Sequence, residues 1–376
     1  MQIVINRKKF IDDLNMGSSM AGKSKTNPIQ NNTRIVIKDN GAAFIYSFDG
    51  ETSVEKRTSV ISSQGDCDFC IMPKDILGVL SNIRDENVNL NLNDTSIEVE
   101  YSSGSITLPV LSSEEFILPV MTDVITGLDI ENTEEFCSAI GGASAFCGSD
   151  EIRPILTGIC LRIKNDTMTV AASDSHALYI EDIQVKTINY EDEAETETVI
   201  PNRATRPLLG MLNKNDRIKV LIGKTNVVFK GENETLSCRM IVGKYPEVKR
   251  LIPQTHNLIV EVDKENLTES IDRTLLAANA TTQHLKLNIR NGGVLEINSE
   301  DLGYNKKATD SIPCTVNGDL SNEFIVGVKG SLLASCLSAI SSKNVTFKFI
   351  DGRKAILILD ADNTNKNIIL MPVMLS

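Results

Sequence analysis

A recurrence constrains this chain more than any single motif. Segments with apolar residues three and four apart, the spacing of one helix face, occur six times and form two interleaved series. One series begins near Arg7 (Phe10, Ile11, Leu14), Asn132 (Phe136, Ile140) and Asp263 (Leu267, Ile271, Leu275). The other begins near Pro73 (Ile76, Leu77, Val79, Leu80), Pro201 (Leu208, Leu209, Leu212) and Val328 (Leu332, Leu333, Leu337, Ile340). Steps are 125 and 131 residues in the first series, 128 and 127 in the second. Two helices per ~125 residues, three times over, is what internal triplication looks like.

Short alternating or apolar runs fill the intervals, among them 88–92, 106–110, 168–172, 218–222, 345–350 and 355–359, with Gly, Asn and Asp between them. They read as strands and turns. The punctuation repeats as well. Leu108-Pro109-Val110-Leu111-Ser112 is echoed by Met371-Pro372-Val373-Met374-Leu375-Ser376, and Glu115-Phe116-Ile117-Leu118-Pro119 by Arg250-Leu251-Ile252-Pro253. The expectation is an α+β chain of three similar domains, 1–122, 123–257 and 258–376, each with two helices on one face of antiparallel sheet.

Composition removes several function classes. A formal charge of −12 argues against wrapping nucleic acid with one broad basic face, so contact with DNA must be local or topological. Trp is absent and aromatics are 5%, which leaves little surface for stacking single-stranded bases or sugars. No run of 18 apolar residues and no signal-peptide order is present, so a soluble, cytoplasmic protein is expected. Cysteines such as Cys137, Cys147, Cys160 and Cys336 sit in apolar stretches and read as small core side chains. Cys67 and Cys70 form one C-x-x-C, but no second pair completes four zinc ligands, and neither metal nor cofactor is expected. The acidic stretch 190–197 reads as a solvated connection.

Two motifs suggest catalysis. Gly17-Ser18-Ser19-Met20-Ala21-Gly22-Lys23-Ser24 satisfies G-x-x-x-x-G-K-[ST], the loop that cradles nucleotide phosphates. That loop works when a buried strand delivers it and a helix follows, aiming N–H groups at the phosphates. Here a helix-like segment precedes it and Pro28 follows within four residues of Ser24, so a flexible loop carrying Lys23 and Lys25 is expected instead. Ser173-Asp174-Ser175-His176 holds the residue types of a hydrolytic triad, but sequence neighbours on a strand or turn point apart.

Three separated stretches carry a family resemblance. Arg153-Pro154-Ile155-Leu156-Thr157-Gly158-Ile159 with 170–178, Lys244-Tyr245-Pro246-Glu247-Val248-Lys249-Arg250-Leu251-Ile252-Pro253, and Ile369-Leu370-Met371-Pro372-Val373-Met374-Leu375 together resemble bacterial DNA sliding clamps. The resemblance spans the whole chain. Departures are Ser175 and Ala177, where the family commonly has Gly and Arg, and Ser376 after the usual terminal Leu.

What the resemblance implies is a head-to-tail homodimer closing a ring around double-stranded DNA, with sheets outside and twelve helices inside. The chain would be a non-catalytic processivity subunit of a nucleotidyltransferase holoenzyme. A ring holds without affinity, so weak phosphate contacts suffice and permit sliding. Candidates for them are Lys8, Lys9, Lys23, Lys25, Lys74, Arg84, Arg153, Arg203, Arg206, Lys264 and Arg273, each equally an ordinary solvated charge.

The resemblance also implies a pocket for linear peptides of the replicative polymerase, clamp loader, repair polymerases and ligase. It would be formed by Leu156, Ser173, His176, Leu178, Pro246, Arg250, Leu251, Ile369, Met371, Pro372, Val373 and Met374; Leu156 and Leu178 are as readily core. Dimer contacts would pair the edge strand of Ile106 and Leu108 with the helix of Leu275 and Leu276. The rival readings are a nucleotide hydrolase built on residues 17–24 and an all-β interaction protein with no DNA partner.

Overall fold

The structure, a computed structural model, describes residues 1–22, 27–118, 124–150, 152–188, 195–318, 320 and 323–375. Its six helices fall close to the two sequence series: α1 (Arg7–Gly17), α2 (Pro73–Ser81), α3 (Thr133–Ser144), α4 (Thr205–Leu212), α5 (Lys264–Leu275) and α6 (Gly330–Ser338). The same device starts the first helix of each pair. Asn6, Asn132 and Asp263 accept the backbone N–H three residues on, from Lys9 at 3.1 Å, Glu135 at 3.1 Å and Asn266 at 2.9 Å. Such a cap satisfies an otherwise orphaned donor, typically for about 1 kcal/mol. The second helices, α2, α4 and α6, start without a side-chain cap.

Two helix starts differ from expectation. Strand Thr196–Pro201 continues through Pro201, which stands opposite Gly158, and a 3-10 turn at Asn202–Ala204 intervenes before α4. Val328 belongs to strand Glu323–Lys329, opposite Leu285, so α6 waits until Gly330. In both places cross-strand pairing wins over local helix periodicity.

The chain divides into two compact units. The first comprises 1–137, 185–193 and 203–240. It contains a five-stranded antiparallel sheet in the order 62–63, 2–6, 87–92, 96–101, 104–109, and a nine-stranded sheet in the order 186–188, 124–130, 218–223, 226–230, 234–239, 52–59, 42–48, 33–37, 67–71. Phe10 and Leu14 of α1 and Ile76 and Leu80 of α2 share one core with Ile3, Ile5, Ile35, Ile45, Val88 and Val99 from both sheets. Each such side chain contributes about 1.5–3 kcal/mol by leaving water.

The second unit comprises 138–184, 194–202 and 241–376. Its nine-stranded sheet runs 196–201, 158–164, 167–173, 177–184, 363–370, 356–360, 344–349, 258–263, 315–318, and its four-stranded sheet runs 306–313, 294–301, 284–290, 323–329. Leu267 of α5 and Leu333 of α6 meet Val260, Leu287, Leu295 and Phe347 around a void of about 10 Å³, a filled core.

The units do not follow the sequence thirds, and the reason is visible in the pairing. Strand Glu234–Arg239 pairs with Thr52–Ser59, placing Leu236 opposite Val54, and strand Ala177–Gln184 pairs with Asn363–Leu370, placing Leu178 opposite Ile369. Each nine-stranded sheet thus draws on two thirds of the chain. No helix among the described residues is long and apolar enough to cross a membrane.

The phosphate-loop match has neither of the flanks it needs. Gly17 is the last residue of α1, where an added Cβ would lie 2.5 Å from Ile45 Cγ2, and the next element is a Pro-led 3-10 turn, Pro28–Asn31. Lys23, Ser24 and Lys25 lie outside the described residues. Cys67 and Cys70 share strand Cys67–Ile71, where residues three apart point to opposite faces. Burial pushes their thiols up to about 11 and about 12, and no group of three metal-ligating side chains occurs among the described residues.

Candidate functional site

The second unit contains a cavity of about 580 Å³, within the range of small-ligand and peptide-anchor pockets. Four pieces of backbone build it. The 3-10 turn Pro154–Thr157 supplies Ile155 and Leu156, with Arg153 just before it. The hairpin joining strands Thr167–Ser173 and Ala177–Gln184 supplies Ser173, Ser175, His176, Ala177 and Leu178. Residues 245–251, ending in the 3-10 turn Val248–Leu251, supply Tyr245, Pro246, Val248 and Leu251. Strand Asn363–Leu370 and the residue after it supply Ile369 and Met371, with Ala355 nearby.

The hairpin turn is held almost entirely by its own side chains. Asp174 accepts the backbone N–H groups of His176 at 2.8 Å and Ala177 at 2.7 Å. Ser173 Oγ accepts the N–H of Ser175 at 3.0 Å and donates to the carbonyl of Ala177 at 2.8 Å. Asp174 and Ser173 are thus engaged with the backbone of their own turn, which is what the triad-like sequence builds. The bends place Ser175 at φ +80°, a left-handed conformation that glycine adopts freely and serine rarely does. The carbonyl of His176 in turn accepts the N–H of Met371 at 2.7 Å, which ties the tail to the turn.

Leu156 (9% exposed), Leu178 (4%) and Ile369 (3%) belong to a buried cluster with Cys160, Ile180, Tyr245 and Val248, and they also line the cavity. Core and pocket are therefore the same residues seen from two sides. At the mouth, Leu251 is 57% and Met371 42% exposed, a cost in water that an apolar occupant would remove. Burial pushes the Tyr245 phenol up, and its hydroxyl lies among the buried groups with no hydrogen-bond partner.

Of the twelve residues assigned to a pocket from the sequence, eight line this cavity: Leu156, Ser173, His176, Leu178, Pro246, Leu251, Ile369 and Met371. Arg250, Pro372, Val373 and Met374 do not. Arg250 is exposed, Val373 donates its N–H to Gly327 at 2.9 Å, and Met374 is 80% exposed. The lining also holds Ile155, Ser175, Ala177, Tyr245, Val248 and Ala355, which the sequence did not assign to it, and Arg153, which the sequence offered as a DNA contact. Tyr245 and Val248 sit inside the stretch 244–253 already singled out; Ala355 carries no sequence signal.

The other basic candidates are scattered. Lys8, Lys74, Arg84 and Arg206 are exposed, with no ion pair among the described residues. Lys9 faces Asp13 at 3.3 Å, Arg203 pairs with Asp49 and Glu51, Arg273 with Asp310 and Glu269, and Lys264 donates to the Ile340 carbonyl at 2.8 Å. Of these carboxylate partners Asp13, Asp49 and Asp310 are mostly shielded from water, while Glu51 and Glu269 are about half exposed or more. In the first unit, Ile106 and Leu108 of edge strand Gly104–Pro109 border a second cavity of about 450 Å³ with Lys74, Val79 and Tyr101. In the second, Leu276 caps α5 at 79% exposure.

Comparison with known proteins decides the family. The models described as the N-terminal, central and C-terminal domains of DNA polymerase III beta subunit match residues 1–121, 131–247 and 249–374. This chain belongs to the DNA polymerase III beta subunit family. Relatives named beta sliding clamp include that of Streptococcus pneumoniae, strain ATCC BAA-255 / R6, 24% identical over 95% of both chains, and that of Haemophilus influenzae, 23% identical over the full length of both. The fold matches the Pseudomonas aeruginosa DNA polymerase III subunit beta with a TM-score of 0.89, and the Thermotoga maritima beta subunit with 0.88, each at 18% identity over all of both chains. A P. aeruginosa clamp solved bound to griselimycin superposes at 0.90, again at 18% identity and full coverage. As a member of that family the chain is a processivity factor for DNA polymerase and not itself a catalyst.

Proposed function

We propose that two copies of this chain join head to tail into a ring around duplex DNA, and that the 580 Å³ cavity captures linear peptides from its clients. The clients are the replicative polymerase, the clamp loader, repair polymerases and ligase, in the cytoplasm. On this reading the domain limits are 1–122, 123–257 and 258–376. The exposed basic side chains meet phosphates, and the Ile106–Leu108 edge meets Leu275 and Leu276 of another copy. An acidic chain needs such topology, because its charge of −12 opposes adhesive binding to DNA.

The observation that carries the pocket reading is an apolar cavity of about 580 Å³ whose rim exposes two apolar side chains, Leu251 and Met371. The griselimycin complex of the P. aeruginosa clamp supports it, since a protein of this fold is solved with a bound ligand.

Loading onto nicked circular DNA with a clamp loader tests the ring. The protein is expected to stay on the circle through gel filtration and to leave when the circle is linearised; equal retention on both defeats the proposal. Replacing the two rim residues together, Leu251→Ala with Met371→Ala, is expected to weaken a polymerase-derived peptide without dissociating the dimer, and unchanged affinity removes the assigned pocket. Magnesium-dependent ATP binding lost in Lys23→Ala would favour the hydrolase reading.

A further inference from the structure

Asn-Gly is the dipeptide in which a backbone most readily modifies itself, because glycine has no Cβ to keep its nitrogen from the preceding side chain. The chain contains three: Asn40-Gly41, Asn291-Gly292 and Asn317-Gly318. All three asparagines are exposed, so accessibility does not separate them. Local geometry does. At the first, both reacting groups are engaged: Gly41 donates its N–H to the Lys38 carbonyl at 2.8 Å, and Asn40 Oδ1 accepts the N–H of Ala42 at 3.0 Å. At the third, strand Thr315–Gly318 places Asn317 opposite Ile259 and Gly318 opposite Leu258. A five-membered ring between a carboxamide and the next nitrogen needs a bend that an extended strand lacks. A Cβ at Gly318 would also lie 2.3 Å from the Asn257 carbonyl oxygen, so the neighbouring strand leaves no room to rearrange.

The second pair lies outside any ladder. Arg290 and Val294 are the last pair between strands His284–Arg290 and Val294–Asp301, and residues 291–293 form the loop that joins them. Gly292 and Gly293 take φ +93° and +76°, and a Cβ on Gly292 would meet nothing within 4 Å. Gly293 accepts the N–H of Cys314 at 2.8 Å, which anchors the far side of the loop. Among the described residues neither the Asn291 carboxamide nor the Gly292 N–H has a hydrogen-bond partner.

We propose that Asn291 is a self-modification site, converting to aspartate and isoaspartate in the folded protein while Asn40 and Asn317 stay intact. The Gly292 nitrogen attacks Asn291 Cγ. A C–N bond forms, the Cγ–Nδ2 bond breaks, and ammonia leaves with the proton that the glycine nitrogen gives up. Water then opens the cyclic imide at either carbonyl, giving Asp or its isomer, in which the chain runs through Cγ. Loss of the amide proton precedes attack, so conversion quickens as pH rises. The product fits where it forms. Its carboxylate arises next to Arg290, which pairs with Glu296 at 2.8 Å, and the isomer's extra backbone carbon falls in a loop, outside the paired residues. The chain gains a negative charge and keeps its strands.

The test keeps the full chain warm at neutral and at mildly alkaline pH, both folded and in guanidinium chloride, then digests it and reads each Asn-Gly peptide by mass spectrometry. Conversion adds one mass unit, fragmentation assigns the position, and enzymatic methylation of isoaspartate separates the isomer from Asp. In the folded protein Asn291 is expected to convert at least about tenfold faster than Asn40 or Asn317, because groups held elsewhere are kept from their attack geometry. In guanidinium chloride the three rates should draw together, and each should rise with pH. Asn291→Gln, whose longer side chain needs a larger ring, should remove the folded-state signal. Equal rates at the three sites of the folded protein, an intact Asn291 while the unfolded sample converts, or a signal that persists in Asn291→Gln overturns the proposal.

Discussion

Glu234 and Lys56 stand directly opposite each other where strand Glu234–Arg239 meets strand Thr52–Ser59, and their side chains close a buried ion pair across that seam. Asp13 of α1 lies 3.5 Å from the same ammonium, and Asn215 Nδ2 donates to the other Glu234 oxygen at 3.1 Å. Burial opposes the charge on Glu234, but hydrogen bonds from Lys56 and Asn215 outweigh it and hold the carboxyl below its ordinary range. Removing one partner strands the other in a dry site. Lys56→Met is therefore expected to cost about 3–5 kcal/mol, while Lys56→Met with Glu234→Leu costs clearly less than the two single changes summed. Urea denaturation of the four proteins completes the cycle, and additive costs would show that the pair is not coupled.

Asp360 sets an acid limit on the second unit. It is buried, which disfavours its charge, yet Ser341 donates to it through both backbone and hydroxyl at 2.8 Å, Ser342 and Asp362 add N–H groups, and Lys366 lies 3.3 Å away. The carboxyl is held well below the usual range. A depressed folded-state value stabilises above the unfolded pKa of about 3.9 and is lost as pH falls through and below it. The urea midpoint of the wild type should begin to fall at about pH 5 and drop most steeply below about pH 4. Asp360→Asn should start lower and show a shallower drop; parallel curves would remove Asp360 from the acid response.

Gly17 separates packing from nucleotide chemistry. A methyl group there meets Ile45 at 2.5 Å, with the strand carbonyl 3.2 Å away, so Gly17→Ala must push α1 off its strand. We expect a loss of about 1–3 kcal/mol from overpacking, read as a lowered melting temperature that added ATP does not alter. A nucleotide-dependent rise in melting temperature would contradict this.

Leu276 and Ile106 test the subunit contact. Leu276→Asp, at the exposed cap of α5, is expected to halve the native mass measured by light scattering while leaving the melting curve of each chain nearly unchanged, because a 79% exposed side chain supports little of its own fold. Ile106→Lys, on the edge strand, should do the same. A dimer of unaltered mass in both would move the contact elsewhere.

Much of this was legible in the residues. The helix series showed itself because six amphipathic faces obey one local rule, and Asn6, Asn132 and Asp263 repeat one capping chemistry. The sharing of sheets between thirds was not legible, since the pairing of Leu236 with Val54 or Leu178 with Ile369 joins residues that no local pattern relates. Within the pocket, Leu156, Leu178 and Met371 were found through motifs. The left-handed backbone of Ser175 was hidden because a dihedral leaves no trace in composition, and the place of Arg153 beside the cavity was hidden because a lone arginine reads the same on a solvated turn.

The ladders that fuse neighbouring thirds have a mechanical corollary. Opening a chain at 52–59 against 234–239, or at 177–184 against 363–370, would mean tearing a row of backbone hydrogen bonds at once. The long rims 104–109 and 306–313 each have a neighbour on one side only. A pull on the chain is therefore expected to be resisted across those ladders, while such one-sided rims have no second ladder to break.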